Sequence, residues 1–216
     1  MKIEHHPLAP FLPLGATTLF LGSFPPPRER WSMDFFYPNF INDFWRVMGL
    51  VHFGDAGWFE ISRQARNDSR LARKSKKGFD RERIVAFCEQ KGLAFFDTAT
   101  AVRRLKDNAS DAFLEVVEPT DVGALVARLP ACRRIVTTGG KASEELLDVL
   151  AKEIPGQARN DGRGARNDVQ AVMPPIGECV RIHLRGREIE WWRMPSTSRA
   201  YPLPLEKKAD FYRRLF

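Results

Sequence analysis

Short apolar runs alternate with segments of helical periodicity in the first part of the chain. The run TTLFL, over residues 17–21, is continuous and ends at Gly22, which is typical of a buried strand. The segment NDFWRVM predicts a helix that begins near Asn39 or Asn42 and ends at Gly49. A strand and a helix are therefore predicted on either side of an unusual stretch rich in prolines and aromatic rings, SFPPPRERWSMDFFYPNF.

The same alternation continues to the end of the chain. FDRERIVAFCEQKG predicts a helix with Asp80 as its N-cap and Gly92 as its stop, and LAFFDT predicts the next strand. TDVGALVARL and KASEELLDVL predict helices on either side of the strand RRIVTTGG. Two strands about a turn near Gly186 and a final helix, EKKADFYRRLF, follow. Strands separated by helices in this way predict an α/β fold, with a parallel sheet and helices on both faces.

Sheets of this kind bind ligands at the carboxyl ends of their strands. That rule selects the loop after Gly22, the loop after Asp97 and the late loop MPSTSRA. Asp97 is the only carboxylate predicted at this edge, where it either places a water molecule or braces the following segment, TAVRRLKDN, as Asp does in many loops. In that segment Arg103, Arg104 and Lys106 are candidates either for phosphate contacts or for a solvated run of charge.

Length and composition favour a single domain. The chain has 216 residues, 44% of them hydrophobic, so residues 1–216 are expected to share one core. No apolar run approaches the ~20 residues of a membrane span and the first residues are charged, so a cytoplasmic location is expected. The cysteines are widely separated, and His5 and His6, interpreted as ordinary N-terminal histidines, have no further ligands at metal spacing. Neither a metal nor a cofactor is expected.

The net charge of +7 and the pI of about 9.6 suggest a nucleic-acid partner, but the basic residues are concentrated. QARND occurs at residues 64–68 and again at 157–161, and ARND recurs at 165–168, in stretches without hydrophobic periodicity. Surface insertions are therefore predicted at about 62–78 and 155–168. The first carries seven Lys or Arg and one Asp, and the second three Arg and two Asp, so the rest of the chain is formally neutral. Global basicity thus gives no information about partners.

Three motifs occur in an order and at a spacing that resemble the uracil-DNA glycosylase superfamily. They are LGSFPP after the first strand, NDFW at the next helix, and the late MPSTSRA. The spacing from Gly22 to Asn42 is similar to that of the hypoxanthine-DNA glycosylase and mismatch-specific branches, and IVTTGGKASEEL resembles the family's third strand, glycine turn and helix. The resemblance implies a three-layer α/β/α sandwich around a mainly parallel, four-stranded sheet.

The resemblance also implies an activity. It points to a monofunctional DNA glycosylase that hydrolyses the N-glycosidic bond of a deaminated base, hypoxanthine or uracil, in base-excision repair. Such an enzyme flips the nucleotide out of the base stack into a pocket. Its partner would be damaged DNA, and it would act as a monomer without a metal or cofactor. Two alternatives stay open: a nucleic-acid-binding module that has lost the chemistry, and an enzyme that acts on free nucleosides or nucleotides.

The base pocket implied by the resemblance follows the first strand. It consists of Gly22, Phe24, Phe35, Phe36 and Tyr37. Aromatic side chains stack on unpaired bases with about 1–3 kcal/mol each, which suits a pocket that receives a flipped base. The alternative is that two of the three consecutive rings belong to the hydrophobic core.

Contacts to DNA are implied for two proline loops. Pro25 and Pro26 fix the path of the chain as it leaves the strand. Hydroxyls and backbone amides in the late loop suit phosphate groups, which position a protein on DNA without reading its sequence. The implied contacts in that loop are Pro195, Ser196, Thr197, Ser198 and Arg199. Ordinary turn chemistry is the alternative for its Ser-Thr-Ser sequence.

The implied catalytic groups follow from two departures from the uracil-specific branches. Those branches carry polar catalytic side chains where Phe24 and Met194 stand here. The hypoxanthine-type branch instead relies on the asparagine of its N-x-F-W segment. That makes Asn42 the first candidate for a catalytic or base-reading amide and Asn39 the second, with Ser23 as a weak water-orienting group. Helix capping is the alternative role for Asn42.

Overall fold

The computed structural model describes residues 2–61, 77–105, 113–153 and 172–216. Most of the first predicted insertion, all of the second, and Lys106 lie outside these ranges. The strands of the described part are β1 (Ile3–His5), β2 (Thr18–Gly22), β3 (Leu93–Asp97), β4 (Ala99–Arg104), β5 (Leu114–Pro119), β6 (Arg134–Thr138), β7 (Glu178–Leu184) and β8 (Arg187–Met194). Its helices are α1 (Phe44–Phe53), α2 (Arg81–Lys91), α3 (Val122–Ala127), α4 (Gly140–Glu153) and α5 (Leu205–Tyr212). No described helix combines the length and the apolar character that crossing a membrane requires.

The central sheet has five strands in the order β3-β2-β6-β8-β7. As predicted, most of it is parallel: β2 pairs in parallel with β3 and β6, and β6 with β8. The prediction of four strands is wrong, because β7 and β8 form an antiparallel hairpin that adds an edge strand. Arg185 and Gly186 at its turn have φ angles of 48° and 77°. Positive values at both positions match the turns that join two-residue hairpins.

A second, antiparallel sheet has the order β1-β4-β5, and the sequence patterns do not predict it. β4 begins two residues after β3 ends and pairs with β1 from Ile3↔Arg103 to His5↔Ala101. β1 is only three residues long and its partner lies almost a hundred residues away, so local periodicity carries no signal of this pairing. The pairing brings the N-terminal segment next to the end of β3.

Helix α1 begins where the sequence predicts but continues past Gly49, which corrects its predicted end. The helix ends at Phe53, and Gly54 forms the C-cap with a left-handed φ of 70°. A Cβ atom on Gly49 would lie 2.3 Å from the carbonyl oxygen of Asp55, so this glycine permits a close backbone approach. In contrast, the predicted Asp80 N-cap and Gly92 stop of α2 are confirmed.

A cluster of aromatic side chains packs in the core around β2 and β3, both of which are buried along their whole length. Phe20 stacks on Phe95 with ring centroids 5.3 Å apart, and Phe44 meets Phe20 edge to face. Phe35 and Phe36 are 5% and 4% exposed and belong to the same cluster. Burying each such ring contributes about 1.5–3 kcal/mol, so the carboxyl edge of the sheet has a rigid base.

His52 on α1 leads to a prediction about stability and pH. Its ring packs against Phe87 and Phe216, with centroids 4.9 Å and 4.4 Å away. Burial, assisted by the charge of Lys91, lowers the pKa of His52 from its ordinary 6.5 to about 4. Between these values the unfolded chain binds a proton that the folded chain does not, so stability falls as pH drops from 6.5 toward 4 and is unaffected by His52 above 6.5. Melting temperatures measured from pH 4 to 7 should show a smaller acid loss in His52→Phe than in the wild type, and parallel curves would contradict this.

Candidate active site

A cavity opens where the carboxyl ends of three parallel strands meet. Gly22 ends β2, Asp97 ends β3 and Thr138 ends β6, and Thr197 reaches the same cavity from the late loop. The three loops that the strand-end rule selects therefore do converge. The other lining residues are Leu8, Ser23, Phe24, Pro25, Pro26, Phe36, Tyr37 and Pro38. Seven of the site residues predicted at the end of β2 and after it are thus brought together: Gly22, Ser23, Phe24, Pro25, Pro26, Phe36 and Tyr37.

A wider depression, of about 450 Å³, lies at the opposite end of β2 and β6. It is lined by exposed charged side chains that already pair with one another, such as Arg134 with Glu190 and Arg181 with Glu188. Ligand sites of parallel sheets form at the carboxyl edge, and this depression is at the amino edge. The cavity at the carboxyl edge is therefore the better candidate site, although it is the smaller of the two.

Asp97 is the only charged residue among the described residues that line the cavity, and it is paired with His6. His6 Nε2 lies 2.9 Å from Asp97 Oδ2, and both side chains are largely buried. The prediction that Asp97 braces the segment after it is wrong for its carboxylate, which contacts the N-terminal segment instead. The interpretation of His6 as an ordinary N-terminal histidine is also wrong, since its side chain is fixed beside the cavity.

Close packing around Gly22 fixes the position of the Asp97 carboxylate. Gly22 and Asp97 are register partners in the pairing of β2 with β3. A Cβ atom on Gly22 would lie 2.5 Å from Asp97 Oδ1 and 3.6 Å from the Tyr37 hydroxyl. Only glycine at this position leaves room for that oxygen, so Oδ1 lies beside the end of β2, where Gly22 lines the cavity, while Oδ2 faces His6.

Tyr37 has the most constrained backbone of the cavity residues. Its φ of 52° is uncommon for a residue with a large side chain and costs conformational energy. The ring lies flat on Phe44, 3.8 Å away with an interplanar angle of 5°, and the hydroxyl is 2.8 Å from Thr138 Oγ1. These contacts hold the ring at the edge of the cavity. Strain of this kind is common at functional sites.

The other rings predicted for the base pocket divide between cavity and core. Phe24 and Phe36 line the cavity and pack around His6, with Phe24 edge to face at 5.3 Å. Phe35 is absent from the lining and packs against Phe11 and Trp45. The alternative that two of the three consecutive rings belong to the core is thus confirmed for Phe35 and Phe36, although Phe36 also lines the cavity.

In the late loop, two of the three hydroxyls that were predicted to contact phosphate accept hydrogen bonds in local turns. Ser196 Oγ accepts from the Ser198 amide at 3.2 Å, and Ser198 Oγ accepts from the Ala200 amide at 3.2 Å. Of the five residues predicted to contact DNA there, Thr197 alone lines the cavity. Pro195 is tied to the last helix through its carbonyl, which accepts from the Tyr212 hydroxyl at 3.0 Å.

A buried ion pair that sequence reasoning missed anchors this loop. Asp43 Oδ2 accepts from Lys208 Nζ at 2.9 Å and Oδ1 from Arg199 Nε at 3.0 Å. Lys208 is 1% exposed and also donates to the Ser198 carbonyl at 2.8 Å. Arg199, predicted as a DNA contact, is thus engaged with Asp43 while half of its side chain stays exposed. The sequence offers no signal for Lys208, since it sits beside the exposed Lys207 in a charged helix.

The two candidate asparagines both serve local turns. Asn42 Oδ1 accepts from the Phe44 amide at 2.9 Å, at the start of α1, and Asn39 Oδ1 accepts from the Ile41 amide at 3.1 Å. Neither is among the residues that line the cavity. The N-cap of α1 is Asp43, so the prediction that Asn42 caps the helix is wrong. Asn42 instead forms a turn from the position before the cap, and any catalytic role must be shared with that hydrogen bond.

The arginines of β4 are paired rather than solvated. Arg104 is held by Glu4 at 3.0 Å and donates to the Pro25 carbonyl at 2.7 Å. Arg103 pairs with Glu115 at 2.8 Å. Arg104 therefore braces the proline loop from behind, and the chain's own carboxylates already neutralise both side chains.

Comparison with known proteins gives a structural match. No protein-family model and no curated protein matches the chain. The chain is similar to the solution NMR structure of a putative uracil DNA glycosylase from Methanosarcina acetivorans, with a TM-score of 0.53 and 19% sequence identity over 100% of both chains. The chain has a uracil-DNA-glycosylase-like fold. The fold class implied by the sequence motifs is thus confirmed, apart from its number of strands.

The buried Asp43–Lys208 pair leads to a prediction about stability. Lys208→Met leaves the Asp43 carboxylate buried with only part of its compensation, and breaking a buried pair in this way costs about 3 kcal/mol. Lys207→Met is the matched control, because Lys207 is largely exposed and its pair with Asp210 contributes at most about 0.5 kcal/mol. Urea unfolding of both variants measures the difference. Equal free energies of unfolding would show that the buried pair does not anchor the loop.

Proposed function

We propose that the protein is a monofunctional DNA glycosylase of the uracil-DNA glycosylase superfamily, which hydrolyses the N-glycosidic bond of a deaminated base, uracil or hypoxanthine. The observation that carries the proposal is the cavity at the carboxyl edge of the sheet. It combines a proline-stiffened loop, aromatic rings and one buried carboxylate, on a fold shared with a protein named as a glycosylase. No cofactor is invoked, and damaged DNA is the proposed partner of a monomeric enzyme.

The arrangement suits a flipped nucleotide for physical reasons. Flipping a base costs a few kcal/mol of free energy, and stacking and edge contacts in the pocket must offset that cost. Phe24, Phe36 and Tyr37 place apolar rings at the cavity, and the Ser23 and Thr138 hydroxyls add hydrogen-bonding groups. Pro25 and Pro26 need no reorganisation on binding, because their backbone is already fixed. Low reorganisation is what electrostatic stabilisation of a charged transition state requires.

A second candidate function has its own support. Phe24 offers the cavity no polar group, and Met194 is 0% exposed within the core, so the two positions that are polar in the uracil-specific branches are apolar here. A protein that binds damaged DNA without turnover would fit these two residues. An enzyme acting on free nucleosides is a further alternative, and it accounts less well for the Pro-Ser loop.

Base release decides among these functions. Matched oligonucleotides that carry uracil, hypoxanthine or a G·T mismatch are incubated with the protein, and abasic sites are revealed by alkaline cleavage. The expected result is release from the uracil or the hypoxanthine strand and none from the undamaged strand. Binding without release would support the non-catalytic module, and release only from free nucleosides would support the third function.

The proposed catalytic role of Asn42 can be separated from its role in the turn by two variants. Asn42→Asp keeps an oxygen for the Phe44 amide, whereas Asn42→Ala removes that hydrogen bond and costs about 1 kcal/mol of stability. If the side-chain amide acts in the reaction, both variants lose roughly 10²-fold or more in single-turnover rate, as for loss of a preorganised donor, while DNA binding is nearly unchanged. Wild-type rates in the Asp variant would limit Asn42 to the turn.

A further inference from the structure

We propose that Asp97 is the catalytic proton acceptor of the site, and that His6 is the positioning residue that holds its carboxylate. The inference rests on the proposed glycosylase function and deepens it. It assigns the proton acceptor to the end of β3 and its positioning to the N-terminal segment, and neither to the proline loop after β2.

The first support is the environment of the carboxylate. Asp97 is 8% exposed, and it is the only charged group lining the cavity among the described residues. Its Oδ2 faces His6, while its Oδ1 lies over Gly22 at the cavity. Burial strengthens the electrostatic effect of a charge, so one carboxylate here has more influence on a reacting group than an exposed one.

The second support is the way in which His6 is held. Its Nδ1 lies 2.8 Å from the Leu8 carbonyl oxygen and 3.2 Å from the Leu8 amide nitrogen. An ionised carboxylate can only accept, so its pairing with His6 requires a proton on Nε2. The contacts at Nδ1 are compatible with that proton, since Nδ1 either accepts from the Leu8 amide in a neutral ring or donates to the Leu8 carbonyl in a protonated one. His6 then donates to Oδ2 and leaves Oδ1 to act as the acceptor.

The third support is that the fold fixes His6 independently of its hydrogen bond to Asp97. The His6 amide donates to the Thr100 carbonyl at 2.8 Å, directly after the pairing of β1 with β4. Phe24 and Phe96 pack on the ring, with centroids 5.3 Å and 4.6 Å away. β4 follows β3 almost immediately. Asp97, at the end of β3, and the segment of β4 that binds the His6 backbone therefore belong to one continuous stretch of chain.

The charge of Asp97 suits the sugar side of the reaction. Cleavage of the glycosidic bond develops positive charge on the deoxyribose and negative charge on the departing base, so a carboxylate stabilises the first and repels the second. In the proposed step a water oxygen bonds to C1′ and one water proton moves to Asp97 Oδ1. The C1′–N bond breaks with its electron pair going to the base, which leaves as an anion and is protonated by solvent. Asp97 then releases its proton to solvent, which restores the carboxylate, and the products are an abasic site and the free base.

The test compares single-turnover release with binding to a 2′-fluoro oligonucleotide carrying the same base, which resists cleavage. Asp97→Asn keeps the shape and an acceptor for His6 but loses the negative charge. The expected result is a loss of about 10²–10⁴-fold in rate, the usual contribution of a general base, with affinity for the uncleavable strand within about 3-fold of the wild type. Glu115→Gln, an exposed carboxylate on β5, is the matched control and should keep the wild-type rate.

Two variants of His6 separate positioning from packing. Gln retains an N–H donor near the place of Nε2, so His6→Gln should keep most of the rate, whereas His6→Phe should lose about 10²-fold because the carboxylate is no longer held. Equal loss in both variants, or a wild-type rate in His6→Phe, would overturn the role of His6. A wild-type rate in Asp97→Asn, or a rate loss matched by an equal loss of affinity, would overturn the role of Asp97.

The outcome for Asp97 is distinct from the outcome for the proposed function. A wild-type protein that releases no base from any oligonucleotide removes the glycosylase function and this inference together. A wild-type protein that releases base while Asp97→Asn is equally active removes the inference alone. Thermal melting of each variant confirms folding; if Asp97→Asn does not fold, the paired His6 variants, which leave the carboxylate in place, carry the test.

Discussion

The parallel pairing of β2 with β3 is the constraint on which the rest of the site depends. Its register sets Gly22 opposite Asp97. Because Gly22 has no side chain, the Asp97 carboxylate can lie over the end of β2. A slip by one residue would move every side chain of one strand to the other face. Both strands are buried along their whole length, so burial alone does not set the register; specific packing does, such as that of Phe20 stacked on its register partner Phe95. Core packing therefore determines where the Asp97 carboxylate is placed.

Two buried carboxylates support this edge of the sheet in different ways. Asp43 is compensated by two cations, Lys208 and Arg199, and joins the start of α1 to the late loop and the last helix. Its charge is used for structure, since both oxygens have donors. Among the described residues, the Asp97 side chain pairs with His6 through one oxygen, and its other oxygen lies beside Gly22 at the cavity. A carboxylate whose charge is only partly committed is better suited to take part in a reaction.

Most of the architecture could be predicted from the sequence, because it follows from local patterns. Buried runs such as TTLFL and LAFFD, and caps such as Asp80 and Gly92, specify elements without reference to distant residues. The three converging loops then follow from the strand-end rule. What could not be predicted depends on pairings far apart in the chain: β1 with β4, His6 with Asp97, and Asp43 with Lys208. Nothing local distinguishes His6 from His5, or Lys208 from Lys207.

Phe24 and Met194, the two apolar residues at positions that are polar in the uracil-specific branches, have different structural surroundings. Met194 ends β8 inside the core and does not line the cavity, so its position is a matter of packing. Phe24 lines the cavity, packs edge to face on His6 and lies near the Arg104 guanidinium, 5.8 Å from its ring centroid. An ionised side chain at Phe24 would need its own compensation in a buried setting. The apolar ring instead helps to hold the histidine beside Asp97. The loop after β2 therefore supports the charged pair and supplies no charge of its own. An apolar residue at position 24 is for this reason compatible with chemistry at this edge of the sheet.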